Sequence, residues 1–154
     1  MNNERKWILR GGRVLNPAPF CLIGIVNVTP DSFSDGGKYI DPRNAVAHGL
    51  RLLDEGAGML DLGAESTRPF AEPVPEGEEI ARLMPVVARL REQRPDAVLS
   101  VDTLKAGTAR AALEGGADII NDVSACVADP ALLDVLAEYK PGYVLMHSQG
   151  SPRE

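Results

Sequence analysis

Short apolar runs separated by longer amphipathic stretches are the feature that most restricts how this chain can fold. Five such runs, at 20–26, 58–62, 97–101, 117–120 and 143–146, are rich in Val, Ile and Leu and bounded by Gly or Pro. Runs this brief, with little polar alternation, read as strands buried on both faces of a parallel sheet. The stretches between them read as helices over 42–55, 77–93, 105–114 and 130–139. In the first, Ala45, Val46, Leu50, Leu52 and Leu53 follow a helical rhythm, Asp41 stands where a cap is needed before Pro42, and Gly56 ends the pattern. In the second, Ile80, Leu83, Met84, Val87 and Leu90 recur at spacings of three and four, and Glu76, Glu78 and Glu79 suit the positive end of the helix. Pro85 is expected to kink or shorten that helix, and Asp129 before Pro130 marks a further cap. Regular strand–helix alternation implies an α/β fold with right-handed crossovers.

A faint repeat narrows the fold further. Residues 56–61, Gly-Ala-Gly-Met-Leu-Asp, align with 116–121, Gly-Ala-Asp-Ile-Ile-Asn, each a helix-ending glycine leading into a strand that finishes on a polar residue. Repeated βα units suggest a (β/α)8 TIM barrel, but a closed barrel takes about 200 residues or more. The chain has 154, and its runs add up to five strands and four helices, so the expectation is a truncated barrel. Ahead of the first strand, Trp7 to Leu15 reads as a hairpin turning at Gly11-Gly12.

Composition excludes several function classes. A formal charge of −6 argues against nucleic acid, which needs a basic surface to displace counterions, and requires any anionic substrate to be held locally. No apolar run reaches the length of a membrane span, and the charged N-terminus lacks a signal-peptide core, so no membrane partner and a cytoplasmic location are expected. Cys21, in a predicted strand, and Cys126, in a predicted loop, have no neighbouring cysteine and read as reduced packing residues. His48, in mid-helix, reads as solvated or packed.

Asn27, Asp61, Asp102, Asn121 and His147 each stand where an apolar run stops. In a parallel α/β fold that places all five at the C-terminal face of the sheet, where active sites are built. One such residue alone serves equally well as a helix cap. A rim of amides and carboxylates suits a heterocycle with several N–H and C=O groups, because carboxylates accept while asparagine both donates and accepts.

The loops after these strands carry more specific strings. Residues 25–37, Ile-Val-Asn-Val-Thr-Pro-Asp-Ser-Phe-Ser-Asp-Gly-Gly, run a strand straight into a loop of hydroxyls and carboxylates, with Pro30 stopping the strand and Gly36-Gly37 allowing it to bend. Residues 61–69, Asp-Leu-Gly-Ala-Glu-Ser-Thr-Arg-Pro, follow the second strand, where Arg68 can fork onto a phosphate, Thr67 can donate to an anionic oxygen and Pro69 stiffens the approach. Both strings resemble signatures of the dihydropteroate synthase family. Ser100-Val101-Asp102-Thr103, Ile120-Asn121-Asp122-Val123-Ser124 and residues 143–152 are similar to three further signatures in the family's order. The resemblance implies that Asp102 and Asn121 bind the pterin edge, that Met146 packs on the pterin face, and that Asn27 contacts Mg²⁺ or the pyrophosphate. It also implies that Thr67 and Arg68 hold the pyrophosphate, that Phe33 and Pro69 line the p-aminobenzoate pocket where sulfonamides act, and that loops 28–38 and 63–75 close over the site. The hairpin would cap the barrel bottom.

The implied reaction condenses 6-hydroxymethyl-7,8-dihydropterin pyrophosphate with p-aminobenzoate, with Mg²⁺ assistance, to give 7,8-dihydropteroate and pyrophosphate. The family's later segments, Asp-Pro-Gly-Phe-Gly, Ser-Arg-Lys and Arg-x-His, do not occur. Residues 1–154 are therefore expected to be the N-terminal part of a single pterin-binding TIM-barrel domain whose C-terminal half is absent. No catalytic residue is assigned within it, the chain alone is expected to be inactive, and the full-length form is expected to be a homodimer. A pterin-binding methyltransferase of the methyltetrahydrofolate type and an inactive half-barrel binding module are the alternatives. The oxygen-rich loop after Asn27 and Ser66-Thr67-Arg68 favour the synthase, since methyl transfer needs no pyrophosphate site.

Overall fold

In the computed structural model of this chain, residues 6–29, 41–65 and 73–147 are described. Two short strands, β1 (Trp7–Ile8) and β2 (Val14–Leu15), pair antiparallel, and five longer ones build a parallel sheet: β3 (Ile23–Asn27), β4 (Met59–Gly63), β5 (Leu99–Asp102), β6 (Ile119–Asp122) and β7 (Gly142–Leu145). The sheet order β3-β4-β5-β6-β7 follows the chain, each step crossing through one helix: α1 (Pro42–Asp54), α2 (Glu76–Gln93), α3 (Ala106–Glu114) and α4 (Leu132–Tyr139). Five parallel strands and four helices in strict βα order are the arrangement from which a (β/α)8 barrel is wound.

Local chemistry explains most boundaries. The Asp41 carboxylate accepts from the Arg43 backbone N–H and caps α1, whose first residue is Pro42. Asp129 is not the N-cap of α4, which is Ala131 without a side-chain bond; one Asp129 carboxylate oxygen accepts from Ala131 N–H in the turn ahead of α4 and the other from Ala106 N–H, the first residue of α3. Three further expectations are corrected. Pro85 neither ends nor shortens α2, which runs 18 residues through it. The first sheet strand starts at Ile23, so Cys21 precedes it and packs beneath the sheet. The last helix begins at Leu132, two residues later than expected.

The two faces of the sheet differ. Val26, Leu60, Leu62, Leu99, Val101 and Ile120 point to the helices and form one core with Leu83, Val87, Leu90, Leu113 and Leu132. Side chains of this size contribute about 1.5–3 kcal/mol each when fully buried. Gly24 marks the closest approach of α1 to this face: a Cβ there would lie 2.9 Å from Leu60 Cδ2 and 3.0 Å from Leu52 Cβ. Gly24→Ala is expected to destabilise the fold by about 1–3 kcal/mol through overpacking. An unchanged urea midpoint would show that α1 yields without loss.

The opposite face is the lumen side. At its lower end Met59, Val98 and Ile119, near the strand starts, pack with Leu9 of the hairpin. Gly11 (φ 68°) and Gly12 (φ 78°) make the hairpin turn in left-handed backbone that glycine adopts readily. Arg13 fixes the plug through an ion pair to Asp118 at 2.8 Å. Asp118 also accepts from Arg91 at 2.9 Å and from Leu99 N–H at 3.0 Å, so one buried carboxylate joins hairpin, α2 and β5. The expected bottom cap is thus present, and the strand ends opposite it remain open for a site.

Candidate functional site

Strand register assembles the site. Asn27 pairs with Gly63, Gly63 with Asp102, Asp102 with Asn121, and Asn121 with Val144 across β3 to β7. Paired residues of parallel strands share a face, so this row lies on the lumen side at the C-terminal ends. One pleat below runs a second row: Ile25, Asp61, Ser100, Ile119 and Gly142. Asp61 is therefore not at the end of its strand, as its place after an apolar run suggested, but at the centre of β4, beneath the rim.

The rows are chemically linked. Asn121 donates from Nδ2 to Asp61 Oδ2 at 3.0 Å. Asp61 Oδ1 and Ser100 Oγ are buried and have no hydrogen-bond partner among the described residues. Burial, and then the negative charges of Asp61, Glu79, Asp122 and Glu65, push the Asp102 carboxyl up to about 6. Gly63 leaves a recess beside it: a Cβ at that position would stand 3.8 Å from Asp102 Oδ2.

Met146 continues the β7 ladder, its N–H donating to Asp122 O at 3.4 Å. Strand alternation puts its half-exposed side chain on the lumen face one pleat above Val144; His147 follows beyond the ladder and is exposed. Asn27 is exposed at the end of β3 in the same row as Asp102. Phe33, Thr67, Arg68 and Pro69 lie outside the described residues, as do 30–40 and 66–72 of the two predicted loops.

Two clusters support the rim. Burial pushes the Asp122 carboxyl up, but Ser124 Oγ (2.8 Å), Cys126 N–H (2.6 Å), Ser124 N–H (2.7 Å) and Tyr143 Oη (2.9 Å) all donate to it and hold it below its ordinary value. These bonds shape the turn leaving β6, where Ala125 and Cys126 take positive φ. On the helix side, Lys105 Nζ reaches Glu65 at 2.6 Å and the buried Glu79 at 2.8 Å, and Thr108 Oγ1 donates to Glu79 at 3.1 Å. Burial opposes the ammonium charge, but the two carboxylates hold the Lys105 pKa above its ordinary value.

Comparison with known proteins decides the family. The profile described as pterin binding enzyme matches residues 23–154. This chain belongs to the pterin-binding enzyme family. The dihydropteroate synthase of Mycobacterium leprae is 50% identical over 130 residues, which are 84% of this chain and 45% of the relative. The Xanthomonas albilineans dihydropteroate synthase solved with 4-aminobenzoic acid superposes with a TM-score of 0.83 at 48% identity, covering 94% of this chain and 54% of that one. A Yersinia pestis dihydropteroate synthase structure with a sulfonamide drug gives a TM-score of 0.82 at 41% identity, covering 96% and 52%. This pterin-binding enzyme chain spans about half the length of the curated relatives it matches.

Of the residues singled out in the sequence, Asn27, Asp102 and Asn121 share one row in the fold, and Ser100 and Glu79 beside them were not singled out as site residues. Parity offered a signal for the first, since Ser100 stands two residues before Asp102 in one strand. Helical spacing offered one for Glu79, which stands four and eight residues before Leu83 and Val87 on the buried stripe of α2.

Proposed function

We propose that this chain carries the pterin-recognising lumen of a dihydropteroate synthase. The observation that carries the reading is the row holding Asp102 and Asn121 side by side over the half-buried Asp61. A pterin presents adjacent N–H donors on its aminopyrimidinone edge, and neighbouring acceptors on two parallel strands match that pattern. The half-exposed Met146 offers an apolar surface for the ring's face. The ligands of the two solved relatives, 4-aminobenzoic acid and a sulfonamide, support an arylamine as second substrate.

In the proposed reaction the C–O bond between the pterin methylene and the diphosphate breaks, a C–N bond to the arylamine forms, and the amine gives up one proton. The chain's part is to hold the pterin edge in register with the methylene carbon directed toward the open strand ends. Thr67 and Arg68, by residue type, suit the departing diphosphate.

Asn27 fits Mg²⁺ as a single amide oxygen in an exposed position, and no group of three or more His, Cys, Asp or Glu suited to a metal occurs among the described residues. That donor set matches an ion that keeps waters and shares substrate phosphates rather than one caged by protein. When bound, the ion would neutralise charge on the leaving diphosphate.

Calorimetric titration with 6-hydroxymethyl-7,8-dihydropterin diphosphate, its diphosphate-free alcohol and 5-methyltetrahydrofolate tests the reading. The synthase reading expects the diphosphate to strengthen binding in the presence of Mg²⁺. Tighter binding of the methylfolate, with no contribution from the diphosphate, would instead indicate methyl transfer.

A further inference from the structure

We propose that Asp61 is a positioning residue that fixes which end of the Asn121 amide faces the pterin; the proposal rests on the pterin reading above. An asparagine amide has a donor end and an acceptor end of nearly equal shape, and either can face a ligand unless something chooses. Asp61, as a carboxylate, can only accept. By taking the Asn121 Nδ2–H at 3.0 Å from the row beneath, it leaves the Asn121 carbonyl oxygen available at the rim. Asp102 and Asn121 then present acceptors next to each other, and the pocket reads donors at both positions.

The position is poor as a purely structural one. Asp61 shares its row with the apolar Ile25 and Ile119, and its Oδ1 is buried without a partner, as is Oγ of the adjacent Ser100. An unsatisfied buried acceptor is destabilising, so an apolar residue would serve the fold better. Retaining a carboxylate here has a use if the amide above it must be oriented. The Asp61 charge also contributes to raising the Asp102 pKa, which places the two carboxyls in one electrostatic environment.

A ligand pair separates orientation from bulk stability. 6-Hydroxymethylpterin carries a 2-amino donor, whereas 6-hydroxymethyl-lumazine carries a 2-oxo acceptor in its place. The full 154-residue chain is expected to prefer the pterin. In Asp61→Leu the Asn121 amide is free to turn its NH2 toward the lumazine oxygen, so the preference should fall about tenfold or more. Asp61→Asn, whose own carbonyl can still accept from Asn121, should keep the preference within about threefold. If Asp61→Leu does not fold, Asp61→Ala carries the same expectation. A folded Leu or Ala variant that loses affinity for both ligands equally, or keeps the wild-type preference, overturns the positioning role alone. Loss of the preference in Asp61→Asn as well would overturn it in favour of a charge effect. A wild-type chain that binds neither ligand, or binds both equally, overturns the pterin reading and this inference with it.

Discussion

Asp102→Asn is expected to lower dihydropterin affinity about a hundredfold, because hydrogen bonds to a charged acceptor contribute about 1.5–3 kcal/mol each and the new amide turns a donor toward ring donors. The same substitution should stabilise the unliganded fold at neutral pH. The Asp102 carboxyl rises from the ordinary 3.8 to about 6 in the fold, through burial first and neighbouring carboxylates second. A raised folded pKa means that the folded state holds its proton more tightly. Below about pH 4 both states are protonated and no penalty exists; between about 4 and 6 the unfolded chain ionises first, and stability falls as pH rises. Above about 6 the folded state bears the full difference, on the order of 3 kcal/mol. Asp102→Asn has no such titration, so its urea midpoint should exceed that of the wild type above about pH 7 and converge with it below about pH 4. Ligand donors favour the ionised form, so dihydropterin affinity of the wild type should rise as pH passes through about 6. A variant that binds normally, or one with no pH-dependent difference in stability, would remove Asp102 from a poorly compensated pocket.

Lys105→Met should be among the most damaging single changes outside the lumen. Glu79 is 1% exposed and its charge faces Lys105 Nζ at 2.8 Å. Removing one partner of a buried pair leaves an uncompensated charge and destabilises by about 3–5 kcal/mol. Replacing both with apolar residues of similar volume is often neutral. The double variant Lys105→Met with Glu79→Leu is therefore expected to recover most of the loss, Thr108 turning its hydroxyl to helix backbone. Chemical denaturation of the wild type and the two variants distinguishes the cases. A single variant no less stable than the double would show that Glu79 is neutral or solvated in the fold.

The alternation that made the fold legible is a matter of burial. Strands covered by helices on one side and by lumen or plug on the other must be short and apolar, and 58–62 or 117–120 could hardly be anything else. Their ends drifted by one or two residues because Gly63, Asp102 and Asp122 extend the ladder with residues that carry no apolar signal. Asp102 and Asn121 stood out since each polar residue closes an apolar run. Asp61 stood out for the same reason and was misplaced, because Leu62-Gly63 after it still belong to the strand. The Glu79–Lys105 pair and the Asp118 junction join elements 26 and 105 residues apart in sequence, as Glu79 is to Lys105 and Arg13 to Asp118. Only tertiary packing brings them together.

The pterin is proposed to enter at the C-terminal ends of β5, β6 and β7. Titrating isotope-labelled chain with 6-hydroxymethyl-7,8-dihydropterin diphosphate and Mg²⁺, and following the backbone amide resonances, tests it most directly. The largest shifts are expected at Asp102, Thr103, Asn121, Asp122 and Met146, with the hairpin and Asp118 unmoved. Shifts centred on Trp7 to Leu15 and Asp118, at the plugged end of the strands, or none at saturating ligand, would contradict it.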